Sequence, residues 1–302
     1  MPSPIADRQS PIETVGIVAK ARLGEAAGVV AELAGWLDAR EIRAVFDKET
    51  AALVGLPPGR PIGTRDELPQ MCDLLVVLGG DGTLIGMAGR VAHAGVDIPI
   101  VGVNFGGLGF LTEITLPELY SSLESVLDGS AEIEPRLLVR SRTYRNGALY
   151  TDRFALNDVV ITRGAISRII DLVVTIGDQR AMRVRADGLI VGTPTGSTAY
   201  NLAAGGPIVH PSVDALLLTP IAPHTLTNRP IVVPGDSEIR IEPAQGTAND
   251  ELFVTFDGQS GHPFQEDDAI VVTRADRVVR LVRASTRTYF DVLRQKLKWL
   301  ER

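Results

Sequence analysis

A glycine-rich turn near residue 80 carries residue types that suit phosphate chemistry. Gly79-Gly80-Asp81-Gly82 follows the apolar run Leu74–Leu78 and precedes a predicted helix over Leu84–His93. Glycine lets backbone amides approach phosphate oxygens without a Cβ clash, and the N-terminus of the following helix presents unpaired N–H groups. The carboxylate of Asp81 would repel such a ligand unless it binds a metal ion or accepts a proton from an attacking hydroxyl. Taken by itself, the turn fits an aspartate that only caps a helix equally well.

A second glycine cluster, Asn104–Leu111, follows another apolar run, Ile98–Val103. Parallel strands that both end in such clusters bring them to the same carboxyl edge, where open α/β sheets bind their ligands. Neither cluster has the three spaced glycines of a dinucleotide fingerprint, and neither ends in the Gly-Lys-Ser/Thr of a Walker loop. The sequence therefore argues against hydride-transfer enzymes and P-loop enzymes.

The second half of the chain contains polar residues that could complete a ligand pocket. Asn157 and Asp158 stand at the edge of an apolar strand, where an Asx turn is the simpler interpretation. The stretch Arg185–Asn201 is rich in glycine and in small hydroxylated residues, which suit the binding of a polar ligand. No Gly-x-Ser-x-Gly elbow surrounds Ser197, so a serine hydrolase fits poorly, and the four histidines lack metal-ligand spacing.

The elements that must hold these residues follow from the apolar periodicity. Runs rich in Val, Ile and Leu predict strands at residues 14–19, 42–46, 74–78 and 98–103. Three- and four-residue apolar spacing predicts helices at residues 25–40, 84–93 and 117–127. Beyond residue 133 the pattern changes to strand-like alternation, with segments at 154–162, 169–176, 238–242 and 269–282.

A chain of 302 residues is long enough for two domains with separate cores. We expect an N-terminal Rossmann-like α/β domain with a parallel sheet over residues 1–132, followed by an antiparallel β-sandwich domain over residues 133–285. A C-terminal helix over residues 286–302 is expected to pack back on the first domain. The proline- and glycine-rich segment Gly55–Pro69 is expected to be a mobile loop that acts as a flap.

Composition limits the partners and the compartment. Thirty basic and 37 acidic residues give a net charge of −7, which argues against a nucleic-acid or anionic-membrane surface. No apolar run approaches the ~20 residues that cross a bilayer. The single cysteine, Cys72, excludes an internal disulfide and suits a reducing compartment, so the expected location is the cytoplasm. The first eleven residues contain three prolines and predict a loose leader without an export signal.

The chain resembles the bacterial NAD kinase family in a set of motifs that occur in this order: Gly79-Gly80-Asp81-Gly82, Asn104–Leu111, Asn157-Asp158, Asp187-Gly188 with Thr193–Asn201, and Asp257-Gly258-Gln259. The first motif is shared with diacylglycerol and sphingosine kinases. The run Thr-Pro-Thr-Gly-Ser-Thr-Ala-Tyr is much more specific to NAD kinases. The resemblance covers nearly the whole chain.

The resemblance implies a phosphotransferase that uses ATP to phosphorylate the adenosine ribose 2′-hydroxyl of NAD, with NADP as the product. Asp81 would be the proton acceptor, and much of the NAD site would lie in the β domain. The residues implied to bind NAD or ATP are Gly79, Gly80, Asp81, Gly82, Asn157, Asp158, Arg168, Arg185, Asp187, Thr198, Ala199, Tyr200, Asn201, Leu202, Ala203 and Gln259. Mg²⁺ or Mn²⁺ would arrive mainly bound to ATP, because no cluster of metal-binding carboxylates is evident and no protein ligand is assigned. The family implies a homodimer or homotetramer.

Two other functions remain open at the level of the sequence. A lipid kinase would share the Gly-Gly-Asp-Gly-Thr turn but would need an apolar entrance, which the polar stretch Thr193–Asn201 disfavours. A non-catalytic NAD-binding regulator would keep the pocket without turnover. Asp81 argues against a regulator, because binding alone gains nothing obvious from a base that faces phosphate.

Overall fold

The computed structural model describes residues 11–20, 24–55, 59–164, 169–225, 227–244 and 252–299. The chain divides into two compact units, one comprising Met1–Pro135 with Val279–Arg302 and the other Arg136–Val278. The divisions predicted from the sequence are at residues 133 and 286. A loose leader is predicted for residues 1–11, and the first ten of these lie outside the described residues.

The described residues form six α-helices: α1 (Ala26–Asp38), α2 (Lys48–Val54), α3 (Asp81–Ala94), α4 (Leu119–Leu127), α5 (Tyr200–Ala203) and α6 (Tyr289–Leu297). All but α5 belong to the first unit. In α1 the buried residues Val30, Leu33 and Leu37 recur at three- and four-residue steps, which gives the helix one apolar face. The C-terminal helix α6 is shorter than predicted, because Thr288 caps its start and Lys298 takes a left-handed conformation at its end.

The first unit is built on a parallel sheet whose strands are β1 (Thr14–Ala19), β2 (Arg43–Asp47), β3 (Ile62–Gly63), β4 (Leu74–Leu78), β5 (Pro99–Asn104) and β6 (Ile114–Thr115). The strand order is β3-β2-β1-β4-β5, and β6 pairs with the end of β5. All these pairings are parallel. Every residue of β4 is buried, as expected for a parallel strand covered on both faces. The carboxyl ends of β4 and β5 therefore carry the two glycine clusters to one edge of the sheet.

The segment predicted as a mobile flap, Gly55–Pro69, is only partly a loop. Its residues 56–58 lie outside the described residues. Ile62 and Gly63 form β3, which pairs with Phe46 and Asp47 of β2. The prediction of a loop is therefore wrong for these two residues, because the free edge of β2 supplies backbone partners that outweigh the local turn composition. The flap stays a prediction.

The second unit is built from antiparallel strands, and the first and last of them, β7 and β18, have residues in both units. The strands are β7 (Ile133–Arg145), β8 (Ala148–Ala155), β9 (Asp158–Arg163), β10 (Ile170–Ile176), β11 (Gln179–Ala186), β12 (Gly188–Gly192), β13 (Ala215–Ile221), β14 (Ile231–Pro234), β15 (Ile239–Pro243), β16 (Leu252–Phe256), β17 (Ser260–Phe264) and β18 (Asp268–Val282). One sheet has the order β14-β13-β12-β9-β16-β17, and the other contains β11-β10-β15-β18. Side chains such as Val159 and Leu189 from the first sheet and Leu172 and Ile241 from the second share one hydrophobic core. The predicted combination of a parallel α/β domain and an antiparallel sandwich is confirmed.

The strand predicted at residues 154–162 is interrupted. β8 ends at Ala155 and β9 begins at Asp158, so Leu156 and Asn157 form a break between two strands. The break arises because the backbone N–H groups of both residues donate to the side chain of Asp257, in a distant turn. None of the described helices is long and apolar enough to span a membrane.

Candidate functional site

Asp81 is the first residue of α3, and its carboxylate is held by the loop that follows β5. Oδ2 accepts a hydrogen bond from the backbone N–H of Phe110 at 2.8 Å. Oδ1 accepts hydrogen bonds from the backbone N–H groups of Leu111 and Thr112 at 3.1 and 2.9 Å, and from the Thr112 hydroxyl at 2.8 Å. Three consecutive amides thus bind one carboxylate, an arrangement that we call a carboxylate grip. The grip fixes the orientation of Asp81 between the two glycine clusters.

A second side chain supports this grip. Nδ2 of Asn104 donates to Oγ1 of Thr112 at 3.0 Å, and Oδ1 of Asn104 accepts from the backbone N–H of Gly106 at 2.8 Å. Thr112 is fully buried, whereas Asn104 is partly exposed. A chain of hydrogen bonds therefore runs from the second glycine cluster to the carboxylate of Asp81.

The glycines of this region fall into two kinds. A Cβ at Gly109 would overlap Oδ1 of Asp81 and Oγ1 of Thr112, and a Cβ at Gly79 would lie 2.9 Å from Oγ1 of Thr83. A Cβ at Gly80 or Gly82 would meet nothing within 4 Å. Gly79 and Gly109 are therefore required by packing. Gly80 and Gly82 leave open space at the N-terminus of α3, where a phosphate would meet free N–H groups.

The second unit contains another carboxylate grip, built on Asp257. Its Oδ2 accepts from the backbone N–H of Leu156 at 2.8 Å, and its Oδ1 accepts from those of Asn157 and Asp158 at 2.7 and 3.0 Å. Asp257 has a φ of 52° and precedes Gly258 in a tight turn. This grip takes up the amides of Leu156 and Asn157, which keeps both residues out of the strand pairing and so causes the break between β8 and β9. The third amide belongs to Asp158, the first residue of β9.

Burial raises the pKa of both carboxyl groups of this region. Burial of Asp158, together with the negative charge of Asp257, raises the pKa of Asp158 from 3.8 to about 7. Burial also raises the pKa of Asp257, although its three N–H donors partly offset the effect. At neutral pH the Asp158 carboxyl is therefore partly protonated, and in that form it can donate as well as accept a hydrogen bond.

The turn that leads into the stretch predicted to bind substrate, Thr198–Ala203, packs against the same break. The backbone N–H of Thr193 donates to the carbonyl of Asn157 at 2.9 Å, and a Cβ at Gly196 would overlap that carbonyl oxygen. Asn201 is fully buried, and its amide is used within the protein, donating to the carbonyl oxygens of Ser197 and Pro207. Tyr200, in contrast, is 45% exposed. Asn201 thus holds the turn in place, while Tyr200 is available to a ligand.

The remaining predicted site residues are Asp187, Arg185, Gln259 and Arg168. Asp187 lies 3.3 Å from the Arg163 guanidinium and 3.4 Å from Nε2 of His224. Arg185 is exposed, with its Nε 3.7 Å from a carboxylate oxygen of Asp171. Gln259 is exposed in the turn after Asp257. Arg168 lies outside the described residues. Within the described ranges, no group of three or more His, Cys, Asp or Glu side chains is placed to hold a metal ion.

The sequence does not mark Thr112 as functional, and it marks Asp257 only as part of the Asp257-Gly258-Gln259 motif. Thr112 directly follows the second glycine cluster, and Asp257 belongs to a motif that also fits a simple turn. A hydrogen-bonding residue beside each glycine motif draws attention to the position but not to its partner. Their partners are about 30 and 100 residues away along the chain, so no local pattern identifies them.

Comparison with known proteins gives a consistent result over almost the whole chain. A family model described as ATP-NAD kinase N-terminal domain matches residues 15–131, and one described as ATP-NAD kinase C-terminal domain matches residues 156–284. The NAD kinase of Geotalea daltonii is 46% identical over 291 residues, which are 96% of this chain and 100% of that protein. The NAD kinase of Solibacter usitatus is 45% identical over 96% of this chain and 99% of its own length.

Two solved structures are similar in fold. Yeast NADH kinase complexed with NADH superposes with a TM-score of 0.86 at 27% identity, covering 97% of this chain and 90% of that one. An NAD kinase from Archaeoglobus fulgidus in complex with ATP gives a TM-score of 0.72 at 24% identity, covering 93% and 99% of the two chains, and supports the fold alone.

Proposed function

The chain belongs to the NAD kinase family and uses ATP to phosphorylate NAD to NADP, and from this premise we propose that Asp81 accepts the proton of the ribose 2′-hydroxyl. The observation that carries the proposal is the placement of Asp81 at the N-terminus of α3, next to the open positions Gly80 and Gly82. A ribose hydroxyl is a weak nucleophile, so it needs a base and an in-line position relative to the γ-phosphate. Asp81 is oriented by four hydrogen bonds and supplies that base.

We assign phosphate binding to the first unit. The space beside Gly80 and Gly82 and the N-terminus of α3 would receive phosphate oxygens. A divalent cation, Mg²⁺ or Mn²⁺, would reach the site bound to ATP oxygens, because the described carboxylates are not grouped as a metal-binding set. When bound, it would neutralise charge that develops on the transferred phosphoryl group.

We assign recognition of NAD to residues of the second unit. The side chains of Asn157 and Asp158 lie at the break between β8 and β9, where they offer an amide and a partly protonated carboxyl to hydroxyl or amide groups. The exposed ring of Tyr200 would contact a flat base or ring. The other assigned residues are Arg168, Arg185, Asp187, Thr198, Ala199, Leu202, Ala203 and Gln259, and Asn201 contributes by holding the turn in place. The proposal extends to a homodimer or homotetramer in the cytoplasm, which the resemblance and the single cysteine favour.

The test of the proposed base is a coupled assay of NADP formation. Purified protein would be mixed with NAD, ATP and Mg²⁺, and NADP detected with an NADP-specific dehydrogenase. Loss of a general base costs about 100-fold or more, so Asp81→Asn should lose most of the rate while it still binds NAD in calorimetry. The matched control is Asp66→Asn, because the Asp66 carboxylate is 83% exposed and should be dispensable.

The other outcomes separate the alternatives. Equal NADP formation by the wild type and Asp81→Asn would leave the kinase intact and remove Asp81 as its base. NAD binding without NADP formation by either protein would favour the regulator. Phosphorylation of a diacylglycerol in vesicles would favour the lipid kinase.

A further inference from the structure

The hydroxyl of Thr112 contacts the carboxylate of Asp81. What we infer from this contact rests on the proposed role of Asp81 as proton acceptor. Oγ1 of Thr112 lies 2.8 Å from Oδ1 of Asp81, and the backbone N of Thr112 lies 2.9 Å from the same oxygen. The Thr112 side chain is fully buried beneath the second glycine cluster. A hydrogen bond to a carboxylate is stronger in such a setting than in water.

The direction of the Thr112 hydroxyl proton is fixed by Asn104. A threonine hydroxyl has a single proton to donate. Nδ2 of Asn104 donates to Oγ1 of Thr112 at 3.0 Å, and Asn104 is itself oriented because its Oδ1 accepts from the Gly106 N–H at 2.8 Å. Asn104 therefore occupies an acceptor site of the hydroxyl, and the hydroxyl proton is directed to Asp81.

The two oxygens of Asp81 consequently differ in what they can still accept. A carboxylate offers about four lone-pair positions, two on each oxygen. Oδ1 accepts three hydrogen bonds, from the N–H groups of Leu111 and Thr112 and from the Thr112 hydroxyl. Among the described residues, Oδ2 accepts one, from the N–H of Phe110. Oδ2 is therefore the oxygen with a lone pair available for a proton.

From this asymmetry we infer that Thr112, oriented by Asn104, is a positioning residue whose hydroxyl holds Oδ1 of Asp81 against the amides of Leu111 and Thr112 and so keeps Oδ2 oriented to receive the ribose hydroxyl proton. The close packing at Gly109 supports the arrangement, because a Cβ there would overlap both Oδ1 of Asp81 and Oγ1 of Thr112. The contact between these two oxygens therefore leaves no room for a side chain at position 109. Thr112 acts through Asp81 and does not itself take the proton.

The main test compares Thr112→Val with Thr112→Ser. Valine has nearly the shape of threonine but removes the hydroxyl, whereas serine keeps it. For Thr112→Val we expect kcat to fall about tenfold or more, as for the loss of a hydrogen bond to a charged group. KM for NAD and for ATP should change by less than about threefold, because no substrate contact is lost. Thr112→Ser should retain wild-type kcat within about threefold.

Asn104→Ala provides a second measurement that does not depend on the folding of the valine variant. It leaves the hydroxyl in place but removes the group that directs it, so we expect a smaller loss of kcat than for Thr112→Val. If both residues act through one hydroxyl, the double variant should be no slower than Thr112→Val alone. Thermal melting of each variant separates loss of fold from loss of positioning.

The inference is overturned if Thr112→Val and Asn104→Ala keep the wild-type kcat while Asp81→Asn is inactive. It is also overturned if the valine variant changes only KM. Failure of the proposed function looks different, because the wild type would then make no NADP, or Asp81→Asn would be as active as the wild type.

Discussion

At the scale of single residues, two glycines of α3 have similar surroundings but lie at different distances from the proposed phosphate site. Gly82 and Gly89 both lie in α3, and a Cβ at either position would meet nothing within 4 Å. Gly82 is in the first turn, beside Asp81, whereas Gly89 is two turns further along the same helix. The two glycines are therefore equivalent for packing but not for access to the N-terminus of the helix.

Replacement of Gly82 by alanine should stabilise the protein and still reduce its activity. Alanine is favoured over glycine in a helix interior by up to about 1 kcal/mol, so both Gly82→Ala and Gly89→Ala should melt at or above the wild-type temperature. Only Gly82→Ala should raise KM for ATP and lower kcat, because its methyl group occupies the space proposed for phosphate. Calorimetric melting and steady-state kinetics on both variants check this. Full activity of Gly82→Ala would place the phosphates elsewhere.

The sequence indicates some of the site residues and not others for a physical reason. Asp81, Asn157 and Asp158 are conspicuous because a polar residue in a glycine-rich turn or at a strand edge is unusual locally. Thr112 and Asp257 become meaningful only through partners that folding brings close. Their bonds are mainly to backbone amides, which every residue type carries, so the sequence contains no trace of the pairing.

At the scale of elements, the segment before α6 is tied to the segment that follows Thr112. Arg283 lies 3.0 Å from Glu113 and 2.8 Å from Glu134, and all three side chains are largely buried. Arg287 and Thr286 both donate to Oε1 of Glu118. Burial alone would raise the pKa of Glu118, but hydrogen bonds from Thr286 and Thr115 and the charge of Arg287 lower it to about 2. The C-terminal segment therefore holds the residues directly after the Asp81 grip.

Removal of the charge at Arg283 should destabilise the protein strongly. Arg283→Met would leave Glu113 and Glu134 buried without that cation, and the loss of one partner of a buried ion pair costs about 3–5 kcal/mol. The matched control is Arg280→Met, because Arg280 pairs with the exposed Asp97 and a surface pair contributes about 0–1 kcal/mol. Urea unfolding of both variants measures the difference. Equal midpoints would show that the Arg283 cluster adds no stability.

Most elements can be predicted from periodicity, and the exceptions have a tertiary cause. β1 and β4 have the predicted bounds, because a run of buried apolar residues between turn residues specifies a parallel strand. The break at Leu156 and Asn157 cannot be read from an apolar pattern, since the turn at Asp257 imposes it. The strand Ile62–Gly63 forms because β2 has a free edge.

At the scale of the whole molecule, the buried Asp158 should make stability depend on pH in an unusual direction. Its folded-state pKa of about 7 lies above the ordinary value of 3.8, so the folded protein binds a proton that the unfolded chain has released. The stabilising contribution of the protonated form is complete below about pH 4 and is lost as the pH rises through about 7. Neutralisation of this residue should remove that dependence.

Asp158→Asn should therefore be more stable than the wild type at pH 8, and the advantage should shrink as the pH falls towards 4. The same substitution should weaken NAD binding if Asp158 contacts the substrate as proposed. Denaturant unfolding at pH 5, 7 and 8 checks the first expectation. Stability curves of the variant and the wild type that stay parallel over this range would contradict it.

The two carboxylate grips also differ in the time at which they can close. Asp81 and the amides of Phe110 to Thr112 are 29–31 residues apart, whereas Asp257 and the amides of Leu156 to Asp158 are 99–101 residues apart. Closure of the longer loop costs about 1 kcal/mol more in chain entropy. On the ribosome, the first grip can form while most of the protein is still unmade, but the second must wait for the turn at Asp257. A chain released before that residue lacks the carboxylate on which the second grip is built.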